Sequence, residues 1–266
     1  MRLGPAAVLL WVVPVLAWGQ NSGAAESTAP SDRHGRLARL EQALHGGARH
    51  ASRVLLDENG MARGDYDIIG GRWEPYEPAW HTGQLILGLL EANRVAPDPE
   101  YLAAAKRAGD WWVSQELKGG GPLEGLLNAW HGGPLGRLIN FTTIADGTPG
   151  LFALSRATGD ARYADTATRS GRWLVTHTYV PEARLFYNII DPGTGEVWRD
   201  RSPHHPDVKD VKITHVARPN TEGSLLKDMC RHTGERRYCD LFLEVSRAKV
   251  ARQHESGFWM EFEPNE

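Results

Sequence analysis

Three carboxylates stand where an acid and a base could meet a substrate: Asp146, Glu222 and Glu77. Each lies at the entry to an apolar stretch with helical spacing: Ile144-Ala-Asp-Gly-Thr-Pro-Gly150, Arg218-Pro-Asn-Thr-Glu-Gly223 and Trp73-Glu-Pro-Tyr-Glu-Pro-Ala-Trp80. Carboxyl pairs do proton-transfer chemistry, one member giving a proton and the other taking one. Glycines beside Asp146 would let a substrate approach the backbone closely, although an Asp before Thr-Pro is also an ordinary way to start a helix. Glu222 is readable as an acid/base group or as a first-turn partner of the helix dipole. Around Glu77, the aromatic faces of Trp73, Tyr76 and Trp80, with His81, suit stacking on sugars. His215 and Arg218 could bind a carboxylate, the Arg with both arms of its guanidinium, or could be part of a solvated loop. His204-His205 with Asp207 is a metal pattern without further ligands at recognisable spacing, so no metal and no cofactor is expected. The chain has no GxSxG, P-loop or GxGxxG signature, which argues against serine hydrolases and nucleotide enzymes.

These residues need a scaffold, and one short phrase supplies it three times: Asp98-Pro-Glu-Tyr101, Asp160-Ala-Arg-Tyr163 and Glu235-Arg-Arg-Tyr238. Each copy separates two apolar stretches of helical period. An acidic residue just before a Tyr that opens a helix suits the connection of an αα-hairpin. The spacing predicts helix pairs 82–93/101–117, 149–158/163–179 and 221–232/238–253, preceded by an amphipathic helix over 36–56 on Leu37, Leu40, Ala43 and Leu44. Between the second and third pairs, Arg184 to Asp191, the turn Pro192-Gly193-Thr194-Gly195 and Glu196 to Arg199 read as a β-hairpin. The expected fold is mainly α: an (α/α) toroid of helical hairpins, incomplete at three to four pairs, with one inserted β-hairpin near 184–199. Long connections always follow the second helix of a pair. They therefore gather on one face, with the N-termini of the inner helices. Trp111 and Trp173 each fall ten residues after a repeat Tyr and are expected in the core.

The 266 residues, 24% charged and with net charge −3, give one sizeable core and no reason to expect a nucleic acid partner. Residues 1–19, with Arg2, an apolar run and Ala17-Trp18-Gly19, read as a signal peptide. The run is too short for a comfortable membrane span, so no stable membrane insertion is expected after its removal. Residues 20–35 read as a disordered leader and 36–266 as one domain, exported to the periplasm or outside the cell. Export bears on the only two cysteines, Cys230 and Cys239, which flank the third hairpin turn. Facing positions at a hairpin tip come within disulfide reach; two buried thiols are the alternative. Asn140-Phe-Thr142 is a formal glycosylation sequon.

Helix pairs punctuated as in Ala157-Thr-Gly-Asp-Ala-Arg-Tyr163 resemble the six-hairpin carbohydrate-active enzymes. Phe186-Tyr187-Asn-Ile-Ile-Asp-Pro-Gly-Thr-Gly-Glu196 is similar to unsaturated glucuronyl hydrolases. Ala79-Trp-His-Thr-Gly-Gln84 is similar to the helical domain of D-glucuronyl C5-epimerases. The resemblance covers residues 75–255 and implies a saccharide substrate containing uronic acid. It implies a glycoside hydrolase, with Asp146 as acid/base and Glu222 or Glu77 as its partner. The alternatives are a C5-epimerase or lyase, in which Tyr76, Tyr187 or His215 would carry protons, and a non-catalytic saccharide-binding toroid.

Overall fold

The computed structural model describes residues 30–199, 217–218 and 224–257. Contacts divide the chain into two units, Met1–Leu40 and Glu41–Glu266. The described part of the first is helical. Helix α1, Pro30–His50, starts six residues earlier than the periodicity suggests and is followed by a π-helical turn, Ala51–Leu55. Leu37 and Leu40, expected on an apolar face, are exposed.

In the second unit three hairpins follow one another: α2 (Pro78–Val95) with α3 (Pro99–Ser114), α4 (Phe141–Thr158) with α5 (Ala161–Thr178), and α6 (Leu225–Thr233) with α7 (Arg236–Val250). The repeated phrase does local and lateral work at each tip. Asp98 and Asp160 accept from the amides of Glu100 and Arg162 at 2.9 and 3.0 Å, capping α3 and α5. Glu235 makes no cap bond and instead takes Arg172 at 2.7 Å. Gly159 and Gly234, at φ 74° and 73°, close α4 and α6 in the left-handed conformation that Gly adopts without a Cβ penalty. Each repeat Tyr is buried and its hydroxyl reaches the preceding outer helix. Tyr101 meets His45 Nδ1 at 2.6 Å, Tyr163 donates to Asp110 at 2.9 Å, and Tyr238 accepts from Arg172 at 3.3 Å. The tyrosines therefore set how one hairpin lies against the next.

The core is formed by Ile86 and Leu89 of α2, Ile144, Leu151 and Leu154 of α4, and Leu225 and Met229 of α6, backed by Ala104, Ala105, Ala108 and Ala167 on the outer helices. Small residues on the outer helices let larger inner-helix side chains interlock. Of the tryptophans expected there, Trp173 is buried and Trp111 only partly so; its neighbour Trp112 is the fully buried one. Cys230 and Cys239 form a disulfide with Cα atoms 5.4 Å apart.

The inserted hairpin is shorter and more divided than its sequence suggests. Its turn is present, with Gly195 N donating to Asp191 O at 2.9 Å, but the two limbs meet only in a bridge at Ile190 and Val197. The strands β1 (Asp65–Asp67) and β2 (Arg72–Glu74) form a hairpin, and β3 (Trp130–Gly132) and β4 (Gly136–Asn140) another. From the inserted segment, β6 (Leu185–Tyr187) pairs antiparallel with β5 (Tyr179–Val180) and β8 (Ala217–Arg218), whereas β7 (Ile189–Ile190) pairs with β4. The long loops are thus sewn together just before α4. No helix among the described residues is long and apolar enough to cross a membrane.

Candidate active site

Helices α2 and α4 are parallel inner helices that touch backbone to backbone. A Cβ on Gly83 would lie 2.2 Å from the Gly147 carbonyl oxygen, and one on Gly150 would lie 2.4 Å from that of Gly83. The glycines around Asp146 therefore admit a neighbouring helix, not the substrate approach expected from the sequence. Asp146 itself is not at a helix start. Helix α4 begins at Phe141, where the Asn140 side chain accepts from Thr142 N at 3.0 Å, and Pro149 lies inside it. Asp146 is therefore in the second turn, on the side that meets α2.

Two side-chain rungs cross the contact. Trp80 Nε1 donates to Asp146 Oδ2, and Thr143 Oγ1 donates to Glu77 Oε1 at 2.8 Å. Gln84 Nε2 adds a bond to the Asp146 carbonyl oxygen at 3.0 Å. Glu77 and Trp80 are three apart on α2, as are Thr143 and Asp146 on α4. The two carboxyl groups thus lie about one helical turn apart, ~5 Å along the axes.

Glu77 caps α2 from a left-handed conformation, φ 38° and ψ 50°. For a residue with a side chain this costs about 1–3 kcal/mol, and such strain collects at functional sites. It is held in place by its amide, which donates to the His131 carbonyl at 2.7 Å. Its carboxylate, 13% exposed, lies 3.4 Å from His131 Nε2 and 3.5 Å from Asn140 Nδ2. His81 Nδ1 lies 2.9 Å from the Tyr76 carbonyl oxygen, and its ring is 4.9 Å from that of Trp80. Tyr76 meets His131 edge-on at 4.9 Å.

Burial pushes Asp146 above the ordinary aspartate value, the Trp80 hydrogen bond opposes this, and the charge of Glu77 adds to it. This favours the protonated form of Asp146, the direction a general acid needs. Burial, then Glu77 and Asp65, also raise the Tyr76 phenol.

Among the sequence-predicted residues, Asp146, Glu77, Trp80, His81 and Tyr76 come together. Trp73 sits on β2, edge-on to Tyr66 at 5.0 Å with Arg63 over its ring. Tyr187 is buried in a small cluster with Val180, Ala183 and Leu185, beneath Arg199 at 5.1 Å, and is not an open stacking face. Glu222, His215, His204, His205, Asp207 and the Arg218 side chain lie outside the described residues. No group of three His, Cys, Asp or Glu that could hold a metal occurs among the described residues.

Four participants were not picked out from the sequence: His131, Thr143, Asn140 and Asn188. Asn188 lies between β6 and β7; its carbonyl accepts from Phe141 N at 2.7 Å and its Oδ1 from Thr142 N at 3.2 Å, completing the cap of α4. Asn140 is 3% exposed and engaged in capping, so the apparent sequon is a buried structural residue in the fold. An Asn immediately before an apolar helical stretch was the available signal. A separate cleft of about 520 Å³, lined by Glu116, Lys118, Arg169, Arg172, Trp173 and Thr176, belongs to the outer helices. Its arginines are committed to ion pairs, Arg169 with Glu116 at 2.5 Å and Arg172 with Glu235 at 2.7 Å.

No family profile matches this sequence, and no curated protein sequence does. Solved structures do match in fold. Cellobiose 2-epimerase from Bacillus thermoamylovorans aligns over 82% of this chain and 57% of its own, at 12% identity and a TM-score of 0.58. A D-mannose isomerase aligns over 87% and 54%, at 12% identity and 0.55. A family 105 glycoside hydrolase from C. acetobutylicum aligns over 86% and 59%, at 13% identity and 0.54. The chain thus spans little more than half the length of these structures. The likeness establishes architecture: this is the helical-hairpin (α/α) toroid fold of carbohydrate-active enzymes.

Proposed function

We propose that the protein is an exported carbohydrate-active enzyme that hydrolyses glycosidic bonds in uronate-containing saccharides. One observation carries this reading: two carboxyls, Asp146 and Glu77, are each held by a side chain of the opposite one of two parallel inner helices, and Asp146 is pushed toward its protonated form. Asp146 protonates the leaving oxygen. Glu77, oriented by Thr143, takes the opposite role, activating water or attacking the sugar carbon. Trp80 both stacks at the rim and holds Asp146. The uronate preference rests on the likeness of the 186–196 segment to glucuronyl hydrolases. Export rests on the character of residues 1–19, and the Cys230–Cys239 disulfide fits an oxidising compartment.

A second reading is proton exchange at C5 of the same sugars. Its support is the neutral Tyr76 phenol packed against His131 and beside Glu77. A panel of uronate oligosaccharides in deuterated water, read by mass spectrometry, separates the two. New reducing ends that vanish in Asp146→Asn support hydrolysis. Deuterium at C5 without cleavage supports the second reading, and neither outcome with any member of the panel overturns both.

A further inference from the structure

We propose that a cleft between the second and third hairpins is a ligand site of its own, which binds one hydroxycarboxylate of the size of a single uronic acid. The cleft has a volume of about 300 Å³, at the lower end of small-molecule sites. Phe152, Ser155 and Arg156 line it from α4, Ala164 from α5, and Asp228, Arg231 and His232 from α6. It is separate from the carboxyl pair of the candidate active site. Arg156 follows Asp146 by ten residues on α4, which is ~15 Å along the helix axis.

Asp228 is the unusual member. Its side chain is 5% exposed, and its Oδ2 accepts from Ser224 Oγ at 2.6 Å. Its Oδ1 has no hydrogen bond among the described residues: Arg156 Nη1 and Arg231 Nη1 face it from 3.8 and 3.9 Å, too far to donate. Glu116 is buried to the same degree, yet Arg169 closes on it at 2.5 Å. Helix dipoles account for basic residues in this region, since Arg156 lies in the last turn of α4 and Arg231 and His232 in that of α6. They do not account for two guanidinium groups that converge on one buried oxygen without bonding it. Converging donors and an open acceptor around a cleft fit an occupant that lies between them.

The lining dictates the chemistry of that occupant. Arg156 and Arg231 bring two positive charges against the single negative charge of Asp228, while His232 is turned to Asp165, Nε2 to Oδ1 at 2.8 Å. The surplus calls for a monoanion, and two planar guanidinium forks match a carboxylate. Asp228 Oδ1, as a carboxylate acceptor, calls for a hydroxyl on the same molecule. Phe152 and Ala164 give an apolar wall for the C–H side of a small ring. A phosphate dianion brings a second negative charge beside Asp228 and no donor for it. A neutral hexose has nothing for the forks. A uronate, free or at the end of a chain, has both groups.

Isothermal titration calorimetry of the full chain at pH 7 tests this with D-glucuronate, glucose, acetate and inorganic phosphate. A uronate tetrasaccharide is titrated into Asp146→Asn, which keeps it intact. Glucuronate should bind at least about 10-fold more tightly than glucose, acetate or phosphate. Arg156→Gln and Arg231→Gln, both at exposed side chains, should each weaken it by about 10- to 100-fold, the scale of a hydrogen bond to a charged group. Arginine-dependent binding of the free sugar supports a small-molecule site, and of the tetrasaccharide alone a site for chain ends. Uronate binding that is unchanged in both arginine variants places the sugar elsewhere and overturns the proposal. So does the absence of binding by either uronate, or acetate or phosphate binding as tightly as glucuronate. Binding is read without turnover, so a failure to cleave saccharides bears on the hydrolase reading alone.

Discussion

Replacing Gly83 by Ala tests whether the site depends on the close passage of α2 and α4. The new Cβ would sit 2.2 Å from the Gly147 carbonyl oxygen and 2.4 Å from its Cα, both backbone atoms that cannot swing aside. Ordinary contact would require the helices to separate by about 1 Å. Overpacking of this kind costs about 1–3 kcal/mol, and a rigid partner places it near the upper end. Ala gains about 1 kcal/mol of helix propensity over Gly, leaving a net loss of about 2 kcal/mol. Gly88 on the same helix is the control: a Cβ there meets nothing within 4 Å. Gly88→Ala should therefore stabilise by up to about 1 kcal/mol. For a domain of this size each kcal/mol moves Tm by about 2–4 °C, so the two variants should melt about 9 °C apart, on opposite sides of the wild type. Because the separation would also stretch the Trp80–Asp146 and Thr143–Glu77 bonds, Gly83→Ala should lose about 100-fold in turnover while Gly88→Ala keeps it. Differential scanning calorimetry and saccharide turnover read both effects. If Gly83→Ala melts with or above Gly88→Ala, the helices do not cross at these glycines and the proposed alignment of the carboxyls fails.

Asp146→Asn should abolish turnover without lowering stability at neutral pH. A carboxyl raised above its ordinary value of 3.8 stabilises the fold fully only below that value, and the contribution is lost as pH rises through the raised folded value; Asn avoids that loss and still accepts from Trp80. A lower Tm for Asp146→Asn at pH 7 would contradict this. Arg169→Ala should cost about 1 kcal/mol in urea unfolding at pH 7, because Glu116 loses its two-armed partner but keeps Lys118 at 3.6 Å. Arg169 holds Glu116 below 4.5, so this contribution is present above that value and lost as pH falls through the lowered one; the gap between variant and wild type must shrink at pH 3. Replacing Cys230 and Cys239 together by Ser should cost about 2–3 kcal/mol, the loop-closure value for a bridge nine residues apart; an unchanged unfolding midpoint would exclude a structural bond.

The helical hairpins were legible because their signals are local. Caps at Asp98 and Asp160, the left-handed glycines 159 and 234, and the 3.6-residue apolar period each act within a few residues, and all three pairs follow from them. Helix starts were read late where the entry residues are unusual. At α4 the stretch Asn140 to Thr143 looks like loop until Asn188, 48 residues on in sequence, joins Asn140 in capping it. At α2 a left-handed Glu before Pro is not a start that propensity would choose.

Carboxyl candidates, aromatic partners and the cysteine pair were determined by residue type and spacing alone. Their relationships were decided only by tertiary structure. Whether Gly147 faces a substrate or another helix depends on what packs there, and a glycine reads the same in both cases. The bonds from Trp80 to Asp146 and from Thr143 to Glu77 each span 66 residues, and exist because Gly83, Gly147 and Gly150 let two backbones meet. His131 lies in a Gly-rich segment with no period to betray it, and it reaches Glu77 through a strand bridge rather than through neighbours in sequence. Local physics names the parts, and long-range packing assigns their partners.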